Sequence, residues 1–184
     1  NIGVATLSGW VRADDGLLAL DRNGNGTIDS GAELFGDSTP LPFGGEAGDG
    51  FDALSQEDTN SDGWVDAADA RFEQLLVWRD LNQDGSSQAA ELLSLAQTGI
   101  EAIRVANVGN RQQLVDGNRI ADLGEFRWAD GAVGDSGIVG NAADIDFAVD
   151  ANTTGVGRSG TLTLAGLTMI FNQPLPLRFV PVAP

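Results

Sequence analysis

The stretch Asp58-Thr59-Asn60-Ser61-Asp62-Gly63-Trp64-Val65-Asp66-Ala67-Ala68-Asp69 has oxygen-bearing side chains at its first, third, fifth, ninth and twelfth positions, and glycine at its sixth. An EF-hand-type loop needs this order. Its oxygens surround a hard cation, the glycine makes the sharp turn, and the seventh residue contributes its backbone carbonyl. Trp64 qualifies at the seventh position whatever its side chain. Asp69, at the twelfth, is one methylene shorter than the usual glutamate, which shortens its reach.

Two further windows share the pattern. Asp80, Asn82, Asp84, Gly85, Ser86, Gln88 and Glu91 fill the same places downstream, with Glu91 at the bidentate position. Upstream, Asp21, Asn23, Asn25, Gly26, Thr27 and Asp29 fall in order, but Ala32 occupies the twelfth place and Glu33 follows one residue late. Either a one-residue expansion lets Glu33 reach the ion or water replaces it; the expectation is Glu33. The loops hold ten of the chain's 27 acidic residues. Asx-rich turns solvated by water would explain each loop singly. Like charges packed this closely instead favour a divalent ion, and three calcium ions are expected.

Composition narrows the chemistry. The 184 residues carry a net charge of -17, with neither cysteine nor histidine. All ten basic residues are arginine. Zinc sites of the usual kind, thiol catalysis, Ser-His triads, lysine Schiff bases and disulfides are thereby excluded, while oxygen ligands for hard cations abound. The negative field repels nucleic acid and anionic membranes. No apolar run reaches the ~20 residues of a membrane span, and residues 1–8 lack the basic and apolar regions of a signal peptide. A processed chain or a piece of a longer polypeptide is expected.

The run Gly9-Trp10-Val11, Asp14 to Gly26, then Glu33-Leu34-Phe35-Gly36-Asp37 resembles the calcium-binding region of RTX (repeats-in-toxin) secreted proteins. So does Phe72, Leu75, Val77 to Gly85, followed by Ala96 and Gly99-Ile100. The resemblance covers about residues 9–150 and is nearest to the self-processing module of iron-regulated RTX proteins. It implies a late glutamate ligand, as at Glu33, and a module that folds on calcium and cleaves an upstream Asp-Pro bond. The six prolines here follow Thr39, Leu41, Gln173, Leu175, Val180 and Ala183, so the sequence contains no Asp-Pro bond. The upstream acidic strand and the glycine-rich nonapeptide repeat of that family are also missing from it.

Periodicity places the elements. Leu17, Leu18 and Leu20 suggest a short apolar turn or helix, and Phe51 and Leu54 a short helix. Residues 67–79 read as a helix with Ala68, Phe72, Leu75 and Leu76 inward, shared by the second and third loops and therefore coupling them. A further helix carries Ala89, Leu92, Leu93 and Ala96 to a stop at Gly99. Strands are expected at 100–105, 119–128 (with a bulge at Gly124), 144–150 and 161–171, with a hairpin turn at Asp130-Gly131. Trp10, Trp78 and Trp128 are assigned to the core. The Asp144, Asp146 and Asp150 row is assigned to a solvated face.

The expected architecture is α+β: an EF-hand-type helix-loop-helix cluster packed on an antiparallel β-sheet. Residues 1–150 form a calcium-binding domain resembling the RTX self-processing module, and residues 151–184 a β-strand and proline-rich C-terminal extension. The expected function is that of a non-enzymatic calcium-binding structural module of a secreted bacterial protein, folding on extracellular Ca2+. Alternatives are a self-assembling surface or filament protein using the C-terminal strand, and a self-processing module lacking its cleavage site here. Expected partners are calcium, further domains of a larger secreted protein, or a second copy.

Overall fold

Leu75-Leu76-Val77-Trp78 is a contiguous apolar run that suits either one turn of a helix or a strand covered on both faces. In a computed structural model, which describes residue 13 and residues 15–113, 119–129, 139–146 and 160–164, it is a strand. Nine strands are described: β1 (Gly16–Leu20), β2 (Trp64–Asp66), β3 (Leu75–Trp78), β4 (Leu92–Ser94), β5 (Ile100–Arg104), β6 (Val108–Gln113), β7 (Arg119–Trp128), β8 (Val139–Asp146) and β9 (Gly160–Leu164). The described helices are short: α1 (Gly50–Ser55) and α2 (Leu95–Thr98), with 3-10 turns at Gly31–Glu33 and Phe72–Gln74.

The strands form one antiparallel sheet in the order β2-β5-β7-β8-β9-β1-β3-β4, with β6 also paired to β7. In β1, Leu18 and Leu20 join a large core with Phe35, Phe51, Leu54, Val65, Leu75, Val77, Ile103 and Phe126. Leu17 and Ala19 point the other way, into a smaller cluster with Ile28 and Trp78. Both faces of β1 and β3 are thus covered, so neither strand shows apolar–polar alternation.

The expected helix-loop-helix cluster is therefore replaced by strands, and the α+β assignment gives way to a mostly antiparallel β fold. Residues 17–20 are β1 rather than a turn or helix. The expected helix at 67–79 is a series of turns, one 3-10 turn and then β3, so no helix joins the second and third loops. The expected helix at 89–96 is β4 followed by α2, which does stop at Gly99 in the left-handed region, φ 81°. Beyond residue 150, β9 lies between β8 and β1. Asp130-Gly131, Trp10, the tail beyond residue 164 and the side chains of Asp144, Asp146 and Asp150 lie outside the described residues.

Gly124 serves a purpose other than the expected bulge. The β7–β8 register shifts between Ile120 and Asp122 instead. At Gly124 the ring of Phe51, from α1, lies so close that an added Cβ would sit 2.6 Å from its Cζ. Phe51 is 1% exposed and cannot swing into solvent. Gly124→Ala is expected to destabilise the fold by about 1–3 kcal/mol, read as a lower urea midpoint at unchanged slope.

Candidate metal-binding loops

Strands, not helices, carry two of the three loops. β1 runs into loop 1 (residues 21–33), after which Leu34 bridges back to Ala19. β3 leads into loop 3 (residues 80–91), and β4 returns to pair with β3. Loop 2 (residues 58–69) follows α1 and contains β2. The loop geometry needs an entry and an exit at fixed separation, which a hairpin supplies as well as two helices do.

Each loop is organised around its first aspartate. Asp21 Oδ2 accepts from Gly26 N at 2.8 Å, and Oδ1 from Gly24 N and Asn25 N. Asp58 accepts from Asp62 N at 3.2 Å and Gly63 N at 2.9 Å. Asp80 accepts from Asp84 N at 3.0 Å and Gly85 N at 2.9 Å. The third-position carboxamides repeat the motif: Asn23, Asn60 and Asn82 Oδ1 each accept from the backbone N–H two residues on, at 2.9 Å. Asn25, Asp62 and Asp84 do the same from Thr27, Trp64 and Ser86. The seventh-position residues thus donate their N–H inward to the turn.

This winding puts the fourth and sixth residues of every loop in the left-handed region. They are Gly24 and Gly26 in loop 1, Ser61 (φ 59°) and Gly63 in loop 2, and Gln83 (φ 57°) and Gly85 in loop 3. Ser61 and Gln83 are the described non-glycine residues with positive φ, an uncommon and costly conformation. Three occurrences at matching places mark one shared loop geometry.

A buried carboxylate closes each loop. Asp69 is 6% exposed: Oδ1 accepts from Thr59 N at 2.7 Å, Thr59 Oγ1 at 2.9 Å and Asn60 N at 3.3 Å, and Oδ2 from Asp66 N at 2.9 Å. Glu91, 4% exposed, accepts from Leu81 N and Gln88 N. Glu33, 2% exposed, takes both Asp29 N and Ser30 N on Oε2. Its Oε1 is buried without a hydrogen-bond partner. The late glutamate is held by donors at the end of its loop, whereas Asp69 and Glu91 also accept from the second residue of theirs.

The ninth positions differ. Asp29 accepts from the Asn23 and Asn25 amides, Gln88 donates its amide to Asp84, and Asp66 turns to cap Ala68 N. Among the described residues no group of three or more acidic side chains is gathered as an all-carboxylate metal centre. A cation held here therefore needs carboxamide and backbone carbonyl oxygens as well, the mixed set that a calcium loop uses.

An unforeseen clamp joins loops 1 and 2. Glu57, just before Asp58, is 1% exposed. Its Oε1 accepts from Arg71 Nη2 at 2.8 Å, while Oε2 lies 2.8 Å from Arg71 Nε without hydrogen-bond alignment. Arg22 Nη2 stands 3.9 Å from Glu57, and its Nε donates to Ala32 O at 2.8 Å. Burial pushes the Arg22 guanidinium below its ordinary value, against the pull of Glu57. An arginine inside an acidic loop was the available signal. Trp64 is also held: Arg127 lies 3.9 Å from its ring centroid.

With this geometry in view, the class of the chain is settled by comparison. The sequence profile described as the SPM domain matches residues 1–148, and the chain belongs to that family. It is similar to the iron-regulated protein FrpA of Neisseria meningitidis serogroup C, 44% identical over 171 residues. The match covers 86% of this chain and 15% of that protein, so the chain spans a small part of its relative's length.

Asp69 yields a pH prediction. Desolvation raises its pKa, but the hydrogen bonds from Asp66, Thr59 and Asn60 outweigh that and hold it below the ordinary carboxylate range. The stability it contributes is present above the unfolded value of about 3.9 and lost as pH falls through the lower folded value. In chelator, stability is expected to decline across that acid window, and Asp69→Asn to flatten the decline, measured by urea unfolding at stepped pH.

Proposed function

We propose that the chain is a calcium-binding structural module of a larger secreted bacterial protein, stabilised by Ca2+ outside the cell. One observation carries the reading. Each of the three loops closes on a nearly buried carboxylate, and the described ion pairs engage Glu57 and Glu125 but not Glu33, Asp69 or Glu91. Burying negative charge without a cation is costly, and Arg22, which Glu33 attracts along with Glu57, offsets part of that cost at loop 1. Glu33 Oε1, enclosed and without a donor, is an oxygen left over once the backbone is satisfied.

The donor set fits calcium: Asp21, Asn23, Asn25, Asp29 and Glu33 with the Thr27 carbonyl; Asp58, Asn60, Asp62, Asp66 and Asp69 with the Trp64 carbonyl; and Asp80, Asn82, Asp84, Gln88 and Glu91 with the Ser86 carbonyl. Where external calcium is plentiful, binding free energy adds to folding free energy. The similarity to FrpA and the small share of that protein matched support a module of a larger secreted protein.

A self-processing module is the alternative reading; the sequence itself contains no Asp-Pro bond for such a module to cleave. A cleft of about 350 Å3 beside the clamp is lined by Arg22, Thr39, Pro40, Leu41, Pro42, Ala53, Gln56 and Arg71, without an acid–base pair. Strand-mediated assembly finds less support, because β9 is already paired along both edges.

Trp64, at the seventh position of loop 2, is placed to sensitise a lanthanide bound there. Tb3+ luminescence excited through tryptophan is expected to appear, to be displaced by Ca2+ before Mg2+, and to drop severalfold in Trp64→Phe. Calcium at 100 times its dissociation constant should stabilise each occupied site by about 2.7 kcal/mol. Luminescence that calcium does not displace, with identical melting in calcium and chelator, would refute the proposal.

A further inference from the structure

Loops 1 and 3 lie far apart in sequence, yet they touch at equivalent places. Ile28, eighth in loop 1, donates its backbone N–H to Ser87 Oγ at 2.7 Å. Ser87, eighth in loop 3, donates that hydroxyl to the Ile28 carbonyl at 3.2 Å. One side chain of loop 3 thus satisfies both backbone polar groups of one residue of loop 1. Ile28 is 5% exposed and packs with Leu17, Ala19 and Trp78, so the contact sits on the smaller core. Trp78 ends the strand that feeds loop 3, and Leu92, which begins the strand leaving it, packs on the same cluster.

Loop 2 is built differently. Its eighth residue, Val65, lies in β2 and registers with Ile103 of β5, so that place is committed to the sheet. The clamp between it and loop 1 runs through Glu57, just outside loop 2, which Arg22 approaches to 3.9 Å, longer than a hydrogen bond.

We propose that loops 1 and 3 bind calcium as one coupled pair through the Ile28–Ser87 contact, with loop 2 filling independently of them. The proposal rests on the calcium reading above. The physical reason is that the eighth residue stands between the carbonyl of the seventh and the side chain of the ninth, both ligand positions. Ordering either loop about an ion fixes its eighth residue, and the shared hydroxyl then fixes the partner's. The ordering cost is met once for two sites, which is positive coupling.

The sixth-position glycines provide separate readouts. Gly26, Gly63 and Gly85 N–H each donate to the first aspartate of their own loop. Their amide NMR signals, followed in a calcium titration of the full chain, report the loops one by one. Disabling loop 1 by Asp21→Ala is expected to weaken loop 3, read at Gly85, by roughly fivefold or more. Loop 2, read at Gly63, should change by less than about twofold, independent sites being additive. By reciprocity, Asp80→Ala should weaken loop 1 at Gly26 by the same factor. In Ser87→Ala the cross-effect should vanish, and Ser87→Thr, which keeps the hydroxyl, should restore it. A loop 3 affinity indifferent to Asp21→Ala, or a cross-effect undiminished in Ser87→Ala, overturns the coupling while leaving calcium binding intact. Three glycine signals all unmoved by calcium overturn the functional reading and the coupling together.

Discussion

Backbone N–H groups turned onto carboxylate oxygens are the interaction on which this structure depends. In each loop the first aspartate gathers the N–H of the fifth and sixth residues, and the closing acid gathers donors from one or both ends of the turn. To present those donors, the chain must enter the left-handed region at the fourth and sixth places, including at Ser61 and Gln83. The carboxylates hold the backbone in a conformation it otherwise avoids. A divalent ion would balance the charge that this arrangement concentrates.

The sheet and the loops support one another. β1 and β3 are covered on both faces because loop 1 folds Ile28 back over one face while α1 and Phe35 lie in the core on the other. Loops 1 and 3 span hairpin-like turns of the same sheet, so their geometry is tied to the β1–β3 register, Leu17 opposite Trp78 and Leu20 opposite Leu75. Loop 2 enters the sheet through β2. Disorder in loop 1 or loop 2 would therefore remove part of the core: Ile28 through loop 1, and Val65 through loop 2.

The loops were legible in the sequence because their constraints are local and positional: a glycine where φ must be positive, oxygens at alternate places, an acid near the close. The late Glu33 keeps the local part of the pattern, accepting from Ser30 three residues back as Asp69 does from Asp66 and Glu91 from Gln88. The elements around the loops were not legible. Leu75-Leu76-Val77-Trp78 fits a helix or a doubly buried strand, and only the neighbours β1 and β4 decide between them. The contacts that join loops escaped for the same reason. Nothing near Ser87 announces Ile28, 59 residues away, and Glu57 reads as one more surface acid until Arg22 and Arg71 are brought to it.

Everything turns on whether the acidic turns need a cation to hold the sheet together. Equilibrium urea unfolding of the chain, run side by side in calcium, magnesium and chelator, tests this most directly. The expected result is a midpoint markedly higher in calcium than in either other condition. Superimposable curves in all three would mean that the backbone donors alone suffice and would contradict the account.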